Sequence, residues 1–151
     1  MPRKSNSPSA LGSHLGYWLR FVSNHVSHAF ALKIQSRGVT LAEWVALRQL
    51  HDDNLQPSAL AEQLGMTRGA ISKLAERLAA KGLVAREDID GRSQMLSLTR
   101  EGRALIPELA ALADQNDEEF FGDLNPSVRI EIENAMKEIV RRRGLKTIPV
   151  N

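Results

Sequence analysis

The sequence predicts a mainly α-helical chain of the α+β class with one small β hairpin. Apolar residues recur every three or four positions over most of the 151 residues, as on one face of an amphipathic helix. Residues 83–99 depart from this pattern, because apolar and polar side chains alternate on either side of Asp90-Gly91. That dipeptide predicts a two-residue hairpin turn. A lone hairpin is marginal in water, so we expect this one to pack against the helices or to contact a partner.

Capping residues and helix breakers place the helices along the chain. Thr40 and Glu43 have the spacing of a capping box, Pro57 suits the first turn of a helix, and Gly65 suits a helix end. Pro107 lies within a helical pattern that ends near Phe121, and it predicts either a kink or a helix start. The expected helices begin near residues 13, 41, 57, 68, 100 and 126.

The third and fourth helices are joined by a short turn that contains Gly65, which is typical of a helix-turn-helix. Thr67 can cap the fourth helix, which ends before Gly82, and Thr99 can cap the helix that follows the hairpin. The residues of the fourth helix divide into two faces at 100° per residue. The apolar face consists of Ala70, Ile71, Leu74, Ala75 and Leu78, and the polar face of Arg68, Gly69, Ser72, Lys73, Glu76 and Arg77. The residues of the polar face near the start of the helix are small or basic. This helix is therefore the candidate recognition helix, called the reading helix below.

The charge distribution supports a polyanion-facing surface more than the formal net charge of +2 does. Residues 66–103 contain eight basic and five acidic residues, whereas residues 108–138 contain nine acidic and two basic ones. This separation fits a polyanion-facing surface kept apart from an assembly surface. Ordinary solvated helix faces are the alternative interpretation.

Several classes of protein are disfavoured by the composition. The chain has no cysteine, so disulfides and thiolate metal sites are excluded. We find no Gly-rich phosphate loop, no nucleophile motif and no paired carboxylates, and we therefore expect neither an enzyme nor a cofactor. No apolar run approaches the roughly 18 residues of a membrane span, and residues 1–12 read as a disordered polar tail rather than a signal peptide. We expect a cytoplasmic protein without membrane contact.

Two segments, LAEQLGMTRGAISKLAERLAAKGLVARE (60–87) and DGRSQMLSLTREG (90–102), resemble the MarR family of bacterial transcription regulators. The resemblance extends over roughly residues 13–143 and implies a winged helix-turn-helix domain at 38–99. It implies dimerisation helices at 13–36 and 100–145, which form a two-fold homodimer. Each reading helix would enter a major groove of double-stranded DNA, and each hairpin, or wing, would lie over the minor groove. The sequence departs from the common family pattern at Ser93 and at Gly69-Ala70.

The resemblance implies a sequence-specific repressor that binds a pseudo-palindromic operator. Two reading helices about one helical turn apart suit such a two-fold site. Arg92 is expected to reach the minor groove, with Asp90 holding its guanidinium. Thr67 is a helix cap as well as a phosphate candidate, and Arg86 is either structural or DNA-facing. The full set of predicted DNA-binding residues is Ser58, Thr67, Arg68, Gly69, Ser72, Lys73, Arg77, Arg86, Asp90, Arg92 and Ser93.

Many relatives respond to a small aromatic anion bound between the dimerisation helices and the winged domain. His14, Trp18 and Trp44 are the candidates for such a ligand pocket here, with core packing as the alternative for the two tryptophans. His25 and His28 are either part of a zinc site or surface histidines, and the absence of a third ligand favours the surface role. The alternative functions are ligand-independent DNA binding and a winged helix that serves only protein assembly.

Overall fold

The computed structural model describes residues 7–146, which form six α-helices and one two-stranded antiparallel sheet. A single 3-10 turn, Leu11–Ser13, precedes the first helix. The helices and strands in chain order are α1 (Leu15–Gln35), α2 (Leu41–Asp52), α3 (Pro57–Leu64), α4 (Arg68–Ala80), β1 (Val84–Asp88), β2 (Gln94–Leu98), α5 (Arg100–Phe121) and α6 (Pro126–Arg143). This order of elements confirms the predicted mainly helical fold with a helix-turn-helix followed by a hairpin.

The predicted helix ends are confirmed where a local signal marks them. Thr40 and Glu43 form the capping box at the start of α2. The hydroxyl oxygens of Thr67 and Thr99 accept hydrogen bonds from backbone N–H groups in the first turns of α4 and α5. Gly65 ends α3 in the left-handed conformation, with φ of 64°, which glycine adopts at no steric cost. These local hydrogen bonds fix the short turn between α3 and α4.

The predicted two-residue turn of the hairpin is wrong, because the loop contains three residues. Val84 pairs with Leu98, and the Ile89 N–H donates to the Ser93 carbonyl at 3.0 Å, which leaves 90–92 as the loop. A two-residue turn would place Val84 opposite Ser97 and on the face opposite Leu96. With three residues, Val84, Leu96 and Leu98 share the face that packs against the helices. Burial of these apolar residues accounts for the observed register.

The hairpin is anchored to the rest of the protein by a short bridge. Leu55, just before α3, exchanges backbone hydrogen bonds of 3.1 and 2.8 Å with Leu96. The side chains of Leu96 and Val84 are 1% and 3% exposed and belong to the hydrophobic core. The hairpin is therefore packed on the helix-turn-helix and extends its tip, residues 89–93, away from the core.

The hydrophobic core crosses both predicted domain boundaries. Ile34 of α1 and Ile106 and Leu109 of α5 pack in the same buried cluster as α2, α3, α4 and the hairpin. Helix α5 continues through Pro107, which therefore does not mark a helix start. Since α1 and α5 share the core of the winged unit, any movement of their packed ends is coupled to that unit.

Large apolar faces of α1 and α6 remain exposed in the single chain. Helix α6 has no buried residue at all. Exposed apolar side chains on the two helices include Leu15, Trp18, Leu19, Phe21, Val22, Leu32, Val128, Ile130, Ile132, Met136, Ile139 and Val140. The two ends of the chain therefore present apolar surface of the kind that marks protein interfaces.

The predicted N-terminal tail lies partly outside the described residues, which begin at residue 7. Within the described part, the 3-10 turn at 11–13 replaces the end of the predicted tail. The Trp18 indole nitrogen donates a hydrogen bond of 2.8 Å to the Gly12 carbonyl, which ties this turn to α1. None of the helices described between residues 7 and 146 is long and apolar enough to cross a membrane.

Candidate nucleic-acid interface

A cleft of about 350 Å³ lies between α3, α4 and the hairpin. It brings together six of the eleven residues predicted to bind DNA, although they come from three separate elements. These residues are Ser58, Arg68, Ser72, Arg86, Arg92 and Ser93. Ile71 and Ala75 form its floor on the α4 side. The cleft is therefore a polar, cationic surface built on the core of the winged unit.

Three arginines and no carboxylate line this cleft. Within residues 7–146, the guanidinium groups of Arg68, Arg86 and Arg92 make no ion pair. Seven basic residues outside the cleft are paired with carboxylates, namely Lys33, Arg37, Arg48, Lys81, Arg129, Lys137 and Arg141. Unpaired guanidinium groups that converge on one cleft produce a positive potential that attracts phosphate.

Helix α4 presents its predicted polar face to solvent beside the cleft. Ile71, Leu74, Ala75 and Leu78 are buried, and the polar residues between them are exposed. A side chain at Gly69 would meet nothing within 4 Å, so the start of the helix is open on this face. The exposed residues of the predicted set are Arg68, Gly69, Ser72, Lys73 and Arg77, together with the cap Thr67. The acidic Glu76 is exposed on the same face. A narrow, exposed helix start of this kind fits a DNA groove.

The expected role of Asp90 as a clamp for the Arg92 guanidinium is not what the structure shows. Asp90 Oδ1 accepts hydrogen bonds from the backbone N–H groups of Arg92 (3.2 Å) and Ser93 (3.1 Å) and from the Ser93 hydroxyl (3.0 Å). These bonds, with the one from Arg92 first, lower the pKa of the Asp90 carboxyl. The carboxylate holds the backbone of the loop, because an aspartate readily closes such a turn on its own chain. The side chain of Arg92 is left exposed to solvent.

The structure adds three cleft residues that the sequence did not suggest. Gln56 and Pro57 lie at the start of α3, and Gln94 begins β2. Pro57 and Gln94 lie directly beside the predicted residues Ser58 and Ser93 in the sequence, and Gln56 lies two residues before Ser58. Their contribution depends on the bridge between Leu55 and Leu96, which draws the start of α3 to the hairpin. No local sequence signal indicates that bridge.

The three predicted ligand residues lie in two separate places in the chain. Trp44 is half-buried and packs edge-to-face on Phe30, with ring centroids 6.2 Å apart. Trp18 is half exposed and stacks near Tyr17, with His14 one turn earlier. Twelve residues of α1 separate Trp18 from Phe30, which corresponds to about 18 Å along the helix. Within one chain the two tryptophans therefore do not line a common pocket.

The two histidines considered for zinc lie on the outer face of α1. His25 and His28 are both exposed, and the His25 ring stacks on Phe21 with centroids 4.9 Å apart. Across residues 7–146 no group of three or more metal-ligating side chains comes together. These positions fit surface residues next to an aromatic cluster.

Comparison with known proteins finds a family that matches the central part of the chain. A sequence profile of the MarR family matches residues 37–93, which contain α2, α3, α4, β1 and the hairpin loop. The transcriptional regulator SarZ of Staphylococcus haemolyticus is 23% identical over 135 residues, covering 87% of this chain and 90% of SarZ. The structure of Bordetella bronchiseptica BpsR superimposes with a TM-score of 0.78 at 27% identity, covering 88% of this chain and 98% of BpsR.

Residues 37–93 match the MarR family, and the structural similarity to BpsR extends over 88% of the chain. A second MarR-family structure, that of Mycobacterium tuberculosis Rv2887, superimposes with a TM-score of 0.69 at 28% identity over 83% of this chain and 98% of that one. BpsR is described as regulated in its DNA binding by 6-hydroxynicotinic acid, and Rv2887 was solved with p-aminosalicylic acid. MarR-family proteins are transcriptional regulators rather than enzymes, and this chain has their DNA-binding fold.

Proposed function

We propose that this chain is a MarR-family regulator that binds a pseudo-palindromic operator in double-stranded DNA as a homodimer and represses transcription there. The observation that carries the proposal is the cleft between α4 and the hairpin, where three unpaired arginines converge without a carboxylate. Neutralising phosphates releases counterions, and this supplies much of the affinity of proteins for DNA. A cleft with this charge and this position beside an exposed helix start suits duplex DNA better than it suits a protein partner.

The two parts of the site would contact different grooves. The start of α4, with Arg68, Gly69 and Ser72 exposed, has the size to enter a major groove, where base edges are distinguishable. The hairpin would carry Arg92 along the phosphate backbone to the adjacent minor groove, whose negative potential attracts arginine. Lys73 and Arg77 are proposed phosphate contacts, as is Ser58 at the start of α3. Arg86 lines the cleft and is proposed to contact the backbone as well.

The exposed apolar faces support the homodimer. Helix α6 has no buried residue within one chain, and most helical stability in proteins comes from packing. We therefore expect α6 to be stabilised by packing against another chain. A second copy of the chain, related by a two-fold axis, would cover the apolar faces of α1 and α6 with the same faces of its own. Two copies would then present two α4 helices to one duplex, which is the arrangement that a pseudo-palindromic site requires.

Selection from random duplexes tests the proposed DNA recognition. The full chain is incubated at about 150 mM salt with a pool of randomised duplexes, and bound sequences are enriched and quantified. We expect an inverted repeat to emerge that binds at least about a thousandfold more tightly than a scrambled duplex. Binding that is weak and indifferent to sequence would reject the proposal and favour a winged helix used for protein assembly.

We propose in addition that a small aromatic acid releases the protein from its operator. BpsR and Rv2887 both take such molecules according to their descriptions. In this chain the half-buried Phe30–Trp44 pair, which joins α1 to α2, is the proposed wall of the ligand site. His14 and Trp18 lie at the outer end of α1, on the face proposed to pair with a second chain, and are proposed ligand contacts only in the dimer.

Titration with hydroxybenzoic and hydroxynicotinic acids tests the ligand proposal. Operator release is followed by fluorescence anisotropy, and Trp44→Leu is compared with wild type. We expect at least one acid to release wild-type protein and to do so less effectively for Trp44→Leu. The exposed Val45→Ala serves as the matched control on the same helix. If the acids release wild type and Trp44→Leu from the operator equally well, or if no acid releases wild type, the proposed ligand site is rejected.

A further inference from the structure

The C-terminal end of α4 is held against the junction between α1 and α2 by one side chain. Lys81 is the C-cap residue of α4. Its ammonium group donates hydrogen bonds to the Gly38 carbonyl at 2.8 Å and to Glu43 Oε1 at 2.9 Å, and lies 2.7 Å from Glu43 Oε2. Gly38 lies in the turn after α1, and Glu43 lies in the first turn of α2. Lys81 therefore joins the end of α4 to the turn after α1 and to the first turn of α2.

The same end of α4 is also held by the start of α5. The Thr99 hydroxyl donates a hydrogen bond of 2.6 Å to the Gly82 carbonyl, and the Thr99 N–H donates one of 3.1 Å to the Leu83 carbonyl. Thr99 is the N-cap of α5. Residues 81–83, which follow α4, are thus attached on both sides. Lys81 connects them to the junction of α1 and α2, and Thr99 connects them to α5.

Helices α1 and α5 are themselves joined by a buried polar group. Asn116, which is 3% exposed, donates to the Val26 carbonyl at 3.1 Å and accepts from Lys33 Nζ at 3.0 Å. Lys33 also forms an ion pair with Glu119 at 2.7 Å. Because a buried amide needs partners in a defined direction, this group fixes how α1 and α5 lie against each other. The two helices form one frame, to which α4 is attached at its C-terminal end.

The attachment through Lys81 is costly to break because Glu43 is fully buried. Burial by itself raises the pKa of the Glu43 carboxyl, but hydrogen bonds from Lys81 and Thr40 and the charge of Lys81 outweigh it and hold that pKa below its ordinary value. A buried carboxylate that lost its ammonium partner would remain uncompensated, so the pair is held together. Lys81 lies about 20 Å along α4 from Arg68 at the other end. It is therefore far from the bases that the start of α4 is proposed to contact.

We infer that Lys81 is a positioning residue for DNA recognition, a role that rests on the proposed function. By holding the end of α4 on the turn after α1 and on the first turn of α2, it sets the position of α4 relative to α1, and through α1 the separation of the two α4 helices in the dimer. That separation decides which half-site spacing in the operator the protein accepts. Lys81 acts through the position of α4 and touches no phosphate.

The test compares operators of different half-site spacing. The selected operator and versions with its centre lengthened or shortened by one base pair are titrated with wild type, Lys81→Met, Lys81→Arg and the control Lys137→Met on α6. We expect wild type, Lys81→Arg and the control to lose at least about tenfold in affinity when the spacing changes. Lys81→Met is expected to bind the original operator about fivefold more weakly and to lose less than about threefold on respacing. Its salt dependence is expected to equal that of wild type.

The outcomes distinguish failure of the positioning role of Lys81 from failure of the proposed DNA-binding function. A Lys81→Met protein that keeps the wild-type spacing penalty rejects the positioning role while leaving the proposed function intact. A salt slope that is smaller by about one unit assigns Lys81 to a phosphate instead and also rejects it. If circular dichroism shows Lys81→Met to be unfolded, Glu43→Gln is put through the same spacing series and judged by the same criterion. A wild-type protein that selects no sequence rejects the proposed function, and the positioning role with it.

Discussion

The Leu83 carbonyl oxygen lies where a side chain on residue 102 would begin. A Cβ atom on Gly102 would be 2.1 Å from that oxygen and 3.0 Å from the Leu83 carbonyl carbon. This contact brings the first turn of α5 against the segment that joins α4 to β1. Only glycine allows the two backbones to approach so closely. In addition to the two hydrogen bonds from Thr99, the attachment of α4 to α5 therefore requires a residue without a side chain at position 102.

We expect Gly102→Ala to destabilise the protein by about 2 kcal/mol or more, because backbone atoms must move apart to admit the methyl group. Urea unfolding followed by circular dichroism measures the change. Gly69→Ala is the matched control, since nothing lies within 4 Å of its added Cβ in α4. That control is expected to stabilise the protein by about 0.5 kcal/mol through reduced backbone freedom. Equal stability of Gly102→Ala and wild type would show that the contact is not as close as described.

Replacing Arg92 tests the role of the hairpin tip. We expect Arg92→Ala to lose about 1–3 kcal/mol of operator binding free energy, because the guanidinium proposed to enter the minor groove is removed. Its thermal unfolding is expected to match that of wild type, since the side chain is exposed and pairs with no carboxylate among residues 7–146. Arg48→Ala, which removes an exposed arginine from α2 outside the cleft, is the control and should bind normally. Unchanged affinity of Arg92→Ala would remove the hairpin from the interface.

Two variants of Asp90 separate its hydrogen bonds from its charge. Asp90→Asn keeps an oxygen that accepts from Arg92 and Ser93 and removes a negative charge near phosphate. We expect it to bind operator at least as tightly as wild type. Asp90→Ala removes the acceptor and should weaken binding by about 0.5–1.5 kcal/mol, because the loop that directs Arg92 is less well held. If Asp90→Asn binds as weakly as Asp90→Ala, the carboxylate charge itself is needed and the loop interpretation is wrong.

The ion pair between Glu43 and Lys81 predicts a pH dependence of stability. The folded state holds the pKa of Glu43 below its ordinary value of 4.5, so its contribution is fully present above pH 4.5 and is lost as the pH falls through the lower folded value. We expect Glu43→Gln, which keeps a capping-box side chain, to be less stable than wild type by about 1–3 kcal/mol at pH 7. The difference, measured by urea unfolding, should shrink progressively below pH 4.5. A difference that stays constant down to pH 3 would contradict this account.

Features that depend on neighbouring residues were predictable from the sequence. The caps at Thr40, Thr67 and Thr99 and the turn at Gly65 each depend on contacts within about four residues. The polar face of α4 follows from helical periodicity, which is equally local. Those signals, placed in order along the chain, were sufficient to predict the helix-turn-helix and the hairpin that follows it.

Features that depend on distant contacts were not predictable in the same way. The three-residue loop of the hairpin follows from burial of Val84, Leu96 and Leu98 on one face, whereas Asp90-Gly91 alone suits a two-residue turn. The contributions of Gln56 and Gln94 to the cleft depend on the bridge from Leu55 to β2. Similarly, the close approach of Gly102 to the segment after α4 joins elements that the local pattern treats separately.

Footprinting the full chain on the DNA upstream of its own gene, combined with the mass of the complex from sedimentation, tests the claim that the protein binds its operator as a homodimer. A homodimer that places two α4 helices in adjacent major grooves predicts two protected segments about one helical turn apart, with two chains on one duplex. A single protected segment bound by one chain, or protection spread evenly along the DNA, would contradict that claim.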